Sequence, residues 1–253
     1  MRIYYGKSFN MPSKILYNYS PNFSTPKRIK KNIKHLIFHY TGMKSENKAI
    51  RRLIDDSSKV SCHYLIKRNG QIILMVPDLY IAWHAGISYW NKDKLLNKNS
   101  IGIEISNKGH KFGYHNYSKA QIISVIKLSK HLIKKYRISK KNIVGHSDVA
   151  VDRKKDPGEN FPWELLSKYG IGLWHNLNYK NLKKLRKKII EQNDQKKFII
   201  FLKSIGYLTK NLSNKNFSKL IKSFQRRFRP GLINGKIDKE CFEIAKKLSK
   251  LYK

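Results

Sequence analysis

Residues 100–106 read Ser-Ile-Gly-Ile-Glu-Ile-Ser, and their strict alternation decides the fold. On an extended chain Ile101, Ile103 and Ile105 fall on one side, and Gly102, Glu104 and Ser106 on the other. The isoleucines belong to a core. Glu104 is then a carboxylate in mid-strand, with a glycine beside it on the same face leaving room above the sheet. Acidic side chains are scarce, 16 against 54 Lys and Arg in 253 residues. A surface Glu among lysines is the plain reading, and a general base is the functional one.

The neighbouring segments supply the rest of a sheet. His35–Tyr40 (HLIFHY) is an apolar, β-prone run, with His39 at its C-terminal end beside Tyr40-Thr41-Gly42. Val60–Ile66 and Gln71–Val76 read as strands joined by an Asn69-Gly70 turn, and Ile143–Gly145 as a short strand leading to His146. Ala49–Asp55 reads as a short helix, Ser118–Tyr136 as a strongly amphipathic helix capped by Ser118, and Trp163–Tyr169 as a short helix after Pro162. These predict an α/β domain over residues 33–178, a central, mostly β sheet flanked by helices. Residues 1–32, basic and interrupted by Pro12, Pro21 and Pro26, read as an extended arm lying on that domain.

Around Tyr169–Lys180 the character changes. A lysine-rich helical stretch, Asn181–Gln192, leads into three amphipathic helices. Phe198, Phe201, Leu202 and Ile205 mark the first, ended by Gly206. Phe217, Leu220, Ile221, Phe224 and Phe228 mark the second, stopped by Pro230. Cys241, Ala245, Leu248 and Tyr252 mark the third, after an Asp238 cap. A small three-helix domain over residues 179–253 is expected; it holds no cluster able to do chemistry, so it reads as a binding or scaffolding unit.

The formal charge of +38 suits an anionic partner, whether nucleic acid, a membrane surface or a wall polymer. Heavy use of Lys, Ile and Asn throughout fits an AT-rich coding sequence equally well. The lysines are diffuse rather than gathered with aromatics, so nucleic acid is not the expected partner. Cys62 and Cys241 lie far apart, which implies neither a disulfide framework nor a Cys-rich metal site and fits a reducing compartment. No run approaches the roughly 18 apolar residues of a membrane span. The start has no continuous apolar signal region, so the expected location is cytoplasmic, with periplasm or outer membrane as the alternative if the N-terminus is incomplete. The oligomeric state is left open.

Gly145–Gly158 reads GHSDVAVDRKKDPG. His146 opens it and Asp156 closes it ten residues later. That spacing cannot share a helix face, but a loop that folds back brings both to one point, as half of a zinc site. His39, at a strand end, is the candidate third ligand. His35 is four residues earlier, but no Glu follows it, so the H-E-x-x-H pattern is absent. On a strand the two imidazoles share a face about 13 Å apart, so His35 reads as structural. His63 and His84 are ligands by residue type alone. AWHAGIS (82–88) is either a pocket wall, with Gly86 permitting a tight turn, or ordinary loop packing.

HYTG (39–42), VSCHYLI (60–66), AWHAGIS (82–88), LNKNSIGIEISNKG (96–109) and GHSDVAVDRKKDPGENFPW (145–163) are similar in order and spacing to a known family. The chain resembles the zinc-dependent N-acetylmuramoyl-L-alanine amidases of the peptidoglycan-recognition-protein fold, most closely the AmiD-like branch. FQRRFRPGLINGKID (224–238) resembles the signature of that branch's C-terminal three-helix peptidoglycan-binding domain. The resemblance implies Zn²⁺ held by His39, His146 and Asp156, with Glu104 and Lys154 as catalytic residues. It implies peptidoglycan or muropeptides as substrate, cut between N-acetylmuramic acid and L-alanine. Tyr40, Trp83 and His84 are then candidates to contact the sugar or stem peptide. Cys62 departs from the branch, where a small residue such as Ser is usual, and no lipoprotein signal of the kind carried by the nearest relatives is visible. A recognition protein on the same fold that binds without cutting is the alternative.

Overall fold

The alternation at residues 100–105 does build the centre of a sheet in a computed structural model of the chain, which describes residues 15–210 and 213–252. In chain order the strands are β1 (Ile15–Tyr17), β2 (Phe23–Ser24), β3 (His35–Tyr40), β4 (Tyr64–Ile66), β5 (Ile72–Leu74), β6 (Ile81–Ala82), β7 (Tyr89–Trp90), β8 (Asp93–Lys94), β9 (Ser100–Ile105) and β10 (Ile143–Gly145). The helices are α1 (Glu46–Ile54), α2 (Lys119–Tyr136), α3 (His146–Val149), α4 (Trp163–Lys168), α5 (Tyr179–Leu185), α6 (Gln192–Ile205), α7 (Asn214–Phe228) and α8 (Lys239–Leu251). The main sheet runs β1-β5-β4-β9-β3-β10. β4, β9, β3 and β10 are parallel, and β5 with β1 runs the other way.

The period of two along the strands sorts their side chains onto two faces. Leu36, Phe38, Ile101, Ile103 and Ile105 pack with Val125, Leu128 and Leu132 of α2 on one face. The start of α2 is fixed by a capping box in which Ser118 and Gln121 satisfy each other's backbone N–H groups. The other face is covered at its two ends. Leu65 and Ile73 pack with Leu53 of α1 at one end. Ile37, Val144 and Trp90 pack with Phe198, Leu202, Phe224 and Phe228 of α6 and α7 at the other. The three C-terminal helices therefore share one continuous core with the sheet. Between the two covered ends the polar residues of β3 and β9 open onto a groove.

Two expectations change in detail. The strand expected over residues 60–66 is regular only from Tyr64, because Val60 O accepts from the Asn22 side chain and Ser61 N–H donates to Trp83 O instead of a ladder partner. The helical stretch expected over residues 181–192 ends at Leu185. There the Arg186 guanidinium grips Glu240 and Lys187 N–H donates to Asp238, pulling the backbone out of the helix. Of the arm expected over residues 1–32, β1 adds to the main sheet beside β5 and β2 pairs with β6, while residues 1–14 lie outside the described part.

Ile103 is fully buried in the middle strand. Truncation to alanine leaves a cavity under α2 and is expected to lower unfolding stability by roughly 2–5 kcal/mol, read as a shift of the urea midpoint. A midpoint within error of the wild-type value would mean the core is not built on β9.

Candidate metal centre and active site

Register, more than proximity in sequence, assembles the site. His39 on β3 is the pairing partner of Glu104 on β9. Gly145 on β10 pairs with Phe38, so His146, the next residue, comes level with His39. Three candidate side chains thus stand in one row across three adjacent parallel strands, at the C-terminal ends where open sheets place their chemistry. The loop after α3 returns Asp156 to the same point, tied by Ser147 N–H donating to Asp156 O at 2.8 Å.

The donor atoms converge closely. His39 Nδ1 lies 2.9 Å from His146 Nδ1 and 3.1 Å from Asp156 Oδ2, and His146 Nδ1 lies 3.0 Å from the same oxygen. All three residues are buried. Donors bonded at zinc distances around a tetrahedral centre are about 3.3 Å apart, so a few tenths of an ångström of spreading admits the ion. Among the described residues this is the one group of three or more His, Cys, Asp or Glu side chains placed to share a metal.

Hydrogen bonds behind the cluster fix which nitrogens carry protons. His146 Nε2 donates to Ala85 O at 3.2 Å, so its Nδ1 holds a lone pair. Ser100 Oγ donates to Leu96 O, so it accepts from His84 Nε2 at 3.1 Å. His84 Nδ1 then accepts from His39 Nε2 at 3.0 Å, and His39 Nδ1 is bare too. Consecutive residues 84 and 85 therefore orient both imidazoles. Arg153 holds that loop in place by donating to Ala85 O and Ile87 O, and Gly86 makes the turn at φ +57°.

Electrostatics agree with this arrangement. Burial first, then the neighbouring His146, lowers the pKa of His39 to about 4, so its imidazole is neutral. Burial pushes Asp156 upward, but His146 and His39 outweigh it and hold the carboxyl well below its usual range. Glu104 goes the opposite way. Burial first, then the charge of Asp156, raises it to about 8, against a lowering contribution from Lys154. Its Oε2 is sealed from solvent with no hydrogen-bond partner, an atom waiting for a proton or a donor.

The cluster forms the floor of a groove of about 830 Å³. Lys154 lines it and its charge acts on both Glu104 and His39. Tyr40 and Trp83 also line it. The Tyr40 hydroxyl is 3.0 Å from His110 Nδ1, and Trp83 Nε1 donates to Ser24 Oγ. His84 borders the groove, but both its nitrogens are spent on His39 and Ser100. His63 is likewise occupied, accepting from Gly102 N–H and donating to Tyr80 O, and His35 is bonded to Asp93 away from the cluster. Sequence reading missed the orienting part of His84. Its one visible trace is Gly102, whose missing Cβ makes room for the His84 ring. Also missed was Asp148, two residues after His146, a buried carboxylate at the turn of α3.

Comparison with known proteins agrees with the geometry. Residues 29–159 match the family model described as N-acetylmuramoyl-L-alanine amidase. The chain is 36% identical over 233 residues to the N-acetylmuramoyl-L-alanine amidase AmiD of Escherichia coli K12, covering 87% of this chain and 83% of that one. It is 40% identical over 105 residues to the 1,6-anhydro-N-acetylmuramyl-L-alanine amidase AmpD of the same strain, covering 42% of this chain and 55% of AmpD. The E. coli AmiD structure in complex with anhydro-N-acetylmuramic acid-L-Ala-D-γ-Glu-L-Lys superposes with a TM-score of 0.77 at 32% identity, over 90% of this chain and 93% of that one. AmpDh3 of Pseudomonas aeruginosa superposes with a TM-score of 0.76 at 30% identity, over 92% and 97%. The chain belongs to the N-acetylmuramoyl-L-alanine amidase family, a family that is zinc-dependent in general.

Two outcomes follow from the orienting hydrogen bonds and the buried charges. His84→Ala is expected to weaken metal binding 10–100-fold, measured by competition with a chelator, and an unchanged affinity would detach His84 from the orientation of His39. The second concerns pH in the metal-free protein. His39, His63 and His84 are all held below their ordinary 6.5 by burial, so the stability of their neutral forms is complete above pH 6.5 and is lost as pH falls toward 4. Glu104 is raised from 4.5 to about 8, so the fold loses stability as pH rises through that interval. The urea midpoint of metal-free protein should therefore pass through a maximum, and Glu104→Gln should remove only the decline on the alkaline side. A midpoint that rises steadily from pH 5 to 8 would contradict the Glu104 assignment, and one that does not fall as pH drops below 6.5 would contradict the histidine assignment.

Proposed function

We propose that this chain hydrolyses the amide between the lactyl group of N-acetylmuramic acid, including its 1,6-anhydro form, and the L-alanine of the stem peptide. One observation carries the reading: three buried donor atoms converge at the end of the sheet, and an unpartnered, protonatable carboxylate stands one strand away. Zinc suits this donor set, since two imidazole nitrogens and a carboxylate are ligands it favours, and when bound it supplies Lewis acidity to water and to the scissile carbonyl.

The chain's own residues then do the following. His39, His146 and Asp156 hold the ion with their proton-free atoms turned inward. Glu104 takes the proton of the attacking water and returns it to the leaving nitrogen, so that the C–N bond breaks to a lactyl carboxylate and the free amine of L-alanine. Lys154 offsets the negative charge that develops on the carbonyl oxygen. Tyr40 and Trp83, lining the groove, offer apolar faces to the sugar and stem. Arg52, Lys111 and Lys155 line it as well, and their charge suits a stem peptide bearing carboxylates.

Glu104→Ala is expected to retain zinc and lose 10²–10⁴ in turnover, whereas Asp156→Ala should lose both. Elemental analysis of the purified variants gives the metal, and mass spectrometry of an anhydromuropeptide digest gives the free stem peptide. Normal release by Glu104→Ala would remove the base assignment. Zinc-loaded wild type that releases nothing would make the chain a recognition protein on an amidase fold.

A further inference from the structure

The C-terminal helices reach the metal-binding loop directly. Asp148, on the first turn after His146, is buried and accepts three hydrogen bonds. One comes from Gly145 N–H at 2.8 Å within the loop itself. The other two come from the C-terminal part of the chain: Arg227 Nη1 at 2.6 Å to Oδ2 and the Tyr207 hydroxyl at 2.7 Å to Oδ1. Arg227 is itself buried, stacks over Trp163 at 4.2 Å, and also donates to Ile143 O on β10 at 3.0 Å. One turn earlier on α7, Ser223 Oγ donates to Ser147 O at 2.6 Å, and Ser147 N–H is the group that ties down Asp156. The adjacent Arg226 faces Glu159 at 3.5 Å, just past the other end of the loop. Glu159 in turn holds His110, which meets the Tyr40 hydroxyl in the groove wall.

We propose that Arg227, with Tyr207 and Ser223, is a positioning residue for the metal centre. In this role α7 holds the loop that carries two of the three donors at both of its ends. The C-terminal helices set metal affinity and turnover on small soluble substrates, independently of any wall polymer they bind. The physical reason is that the loop, with nine residues between His146 and Asp156, has no sheet ladder of its own. Its donors stay within bonding distance of His39 only if something fixes its outer side, and the buried Asp148–Arg227 pair is the fixed point. The inference rests on the reading of His146 and Asp156 as metal ligands.

The test uses the full chain carrying Arg227→Met, Arg227→Lys or Tyr207→Phe. Three quantities are measured: the zinc dissociation constant by chelator competition, amide hydrogen exchange of the metal-free protein, and release of stem peptide from a soluble anhydromuropeptide. Arg227→Met is expected to weaken zinc 10–100-fold, to speed exchange at residues 145–157 while leaving α2 protected, and to lower turnover at saturating zinc. Arg227→Lys should recover part of each change, and Tyr207→Phe should show them in smaller measure. A folded Arg227→Met with wild-type zinc affinity and wild-type exchange at residues 145–157 overturns the inference, whatever its melting temperature. If that variant does not fold, Tyr207→Phe decides by the same readouts. Wild-type protein that binds no zinc removes the ligand assignment itself; wild type and Arg227→Met alike in both zinc affinity and exchange removes only the positioning role.

Discussion

The in-register pairing of β3 with β9 is the constraint on which the rest depends. It sets His39 opposite Glu104, and the same row continues to His146 through β10. Strand side chains alternate, so a slip of one residue would turn His39 or Glu104 into the α2 core and bring an isoleucine or phenylalanine to the groove. Ile101, Ile103 and Ile105 on one strand, with Leu36 and Phe38 on the other, make that slip costly. Apolar burial on the blind face thus enforces the polar geometry on the working face.

Burial then does a second job. The donor cluster is out of water, where charged imidazoles are expensive and every hydrogen bond counts for more. His39 stays neutral, and the outward nitrogens of the two imidazoles are bonded to His84 and to the Ala85 carbonyl. The same environment keeps Glu104 protonatable near neutral pH while Asp156, between two imidazoles, stays ionised. Two carboxylates lining one groove are thus driven in opposite directions by their surroundings, the general pattern by which one site can hold both an acid and a base.

The C-terminal helices complete the picture as a wall of the molecule. Their apolar residues continue the sheet's core, and their polar contacts, Arg227 and Tyr207 on Asp148 and Ser223 on Ser147, fall on the metal-binding loop. A buried pair such as Asp148–Arg227 contributes little net stability over an apolar alternative, but breaking one partner is costly, so it specifies geometry. Most of the positive charge lies elsewhere, spread over solvated lysines. Around the groove the balance is also basic, with Arg52, Lys111, Arg153, Lys154 and Lys155 against Glu104 and Asp156.

The sequence by itself determined the strands at residues 35–40 and 100–105, the capped helix α2 and the amphipathic helices α6, α7 and α8. Each of these is written in a local period of hydrophobic residues or a capping side chain. It also marked His39, Glu104, His146 and Asp156, because a polar residue that interrupts an apolar strand end or opens a charged loop is visible without coordinates. Tertiary structure alone decided that these four meet, since register between strands more than sixty residues apart has no local signature. It also decided that His84 faces His39 while His63 faces Gly102, a difference of partner between two histidines that look alike in sequence. And it decided that Asp148 belongs to Arg227, seventy-nine residues away, because a buried carboxylate is paired by whatever the fold packs against it.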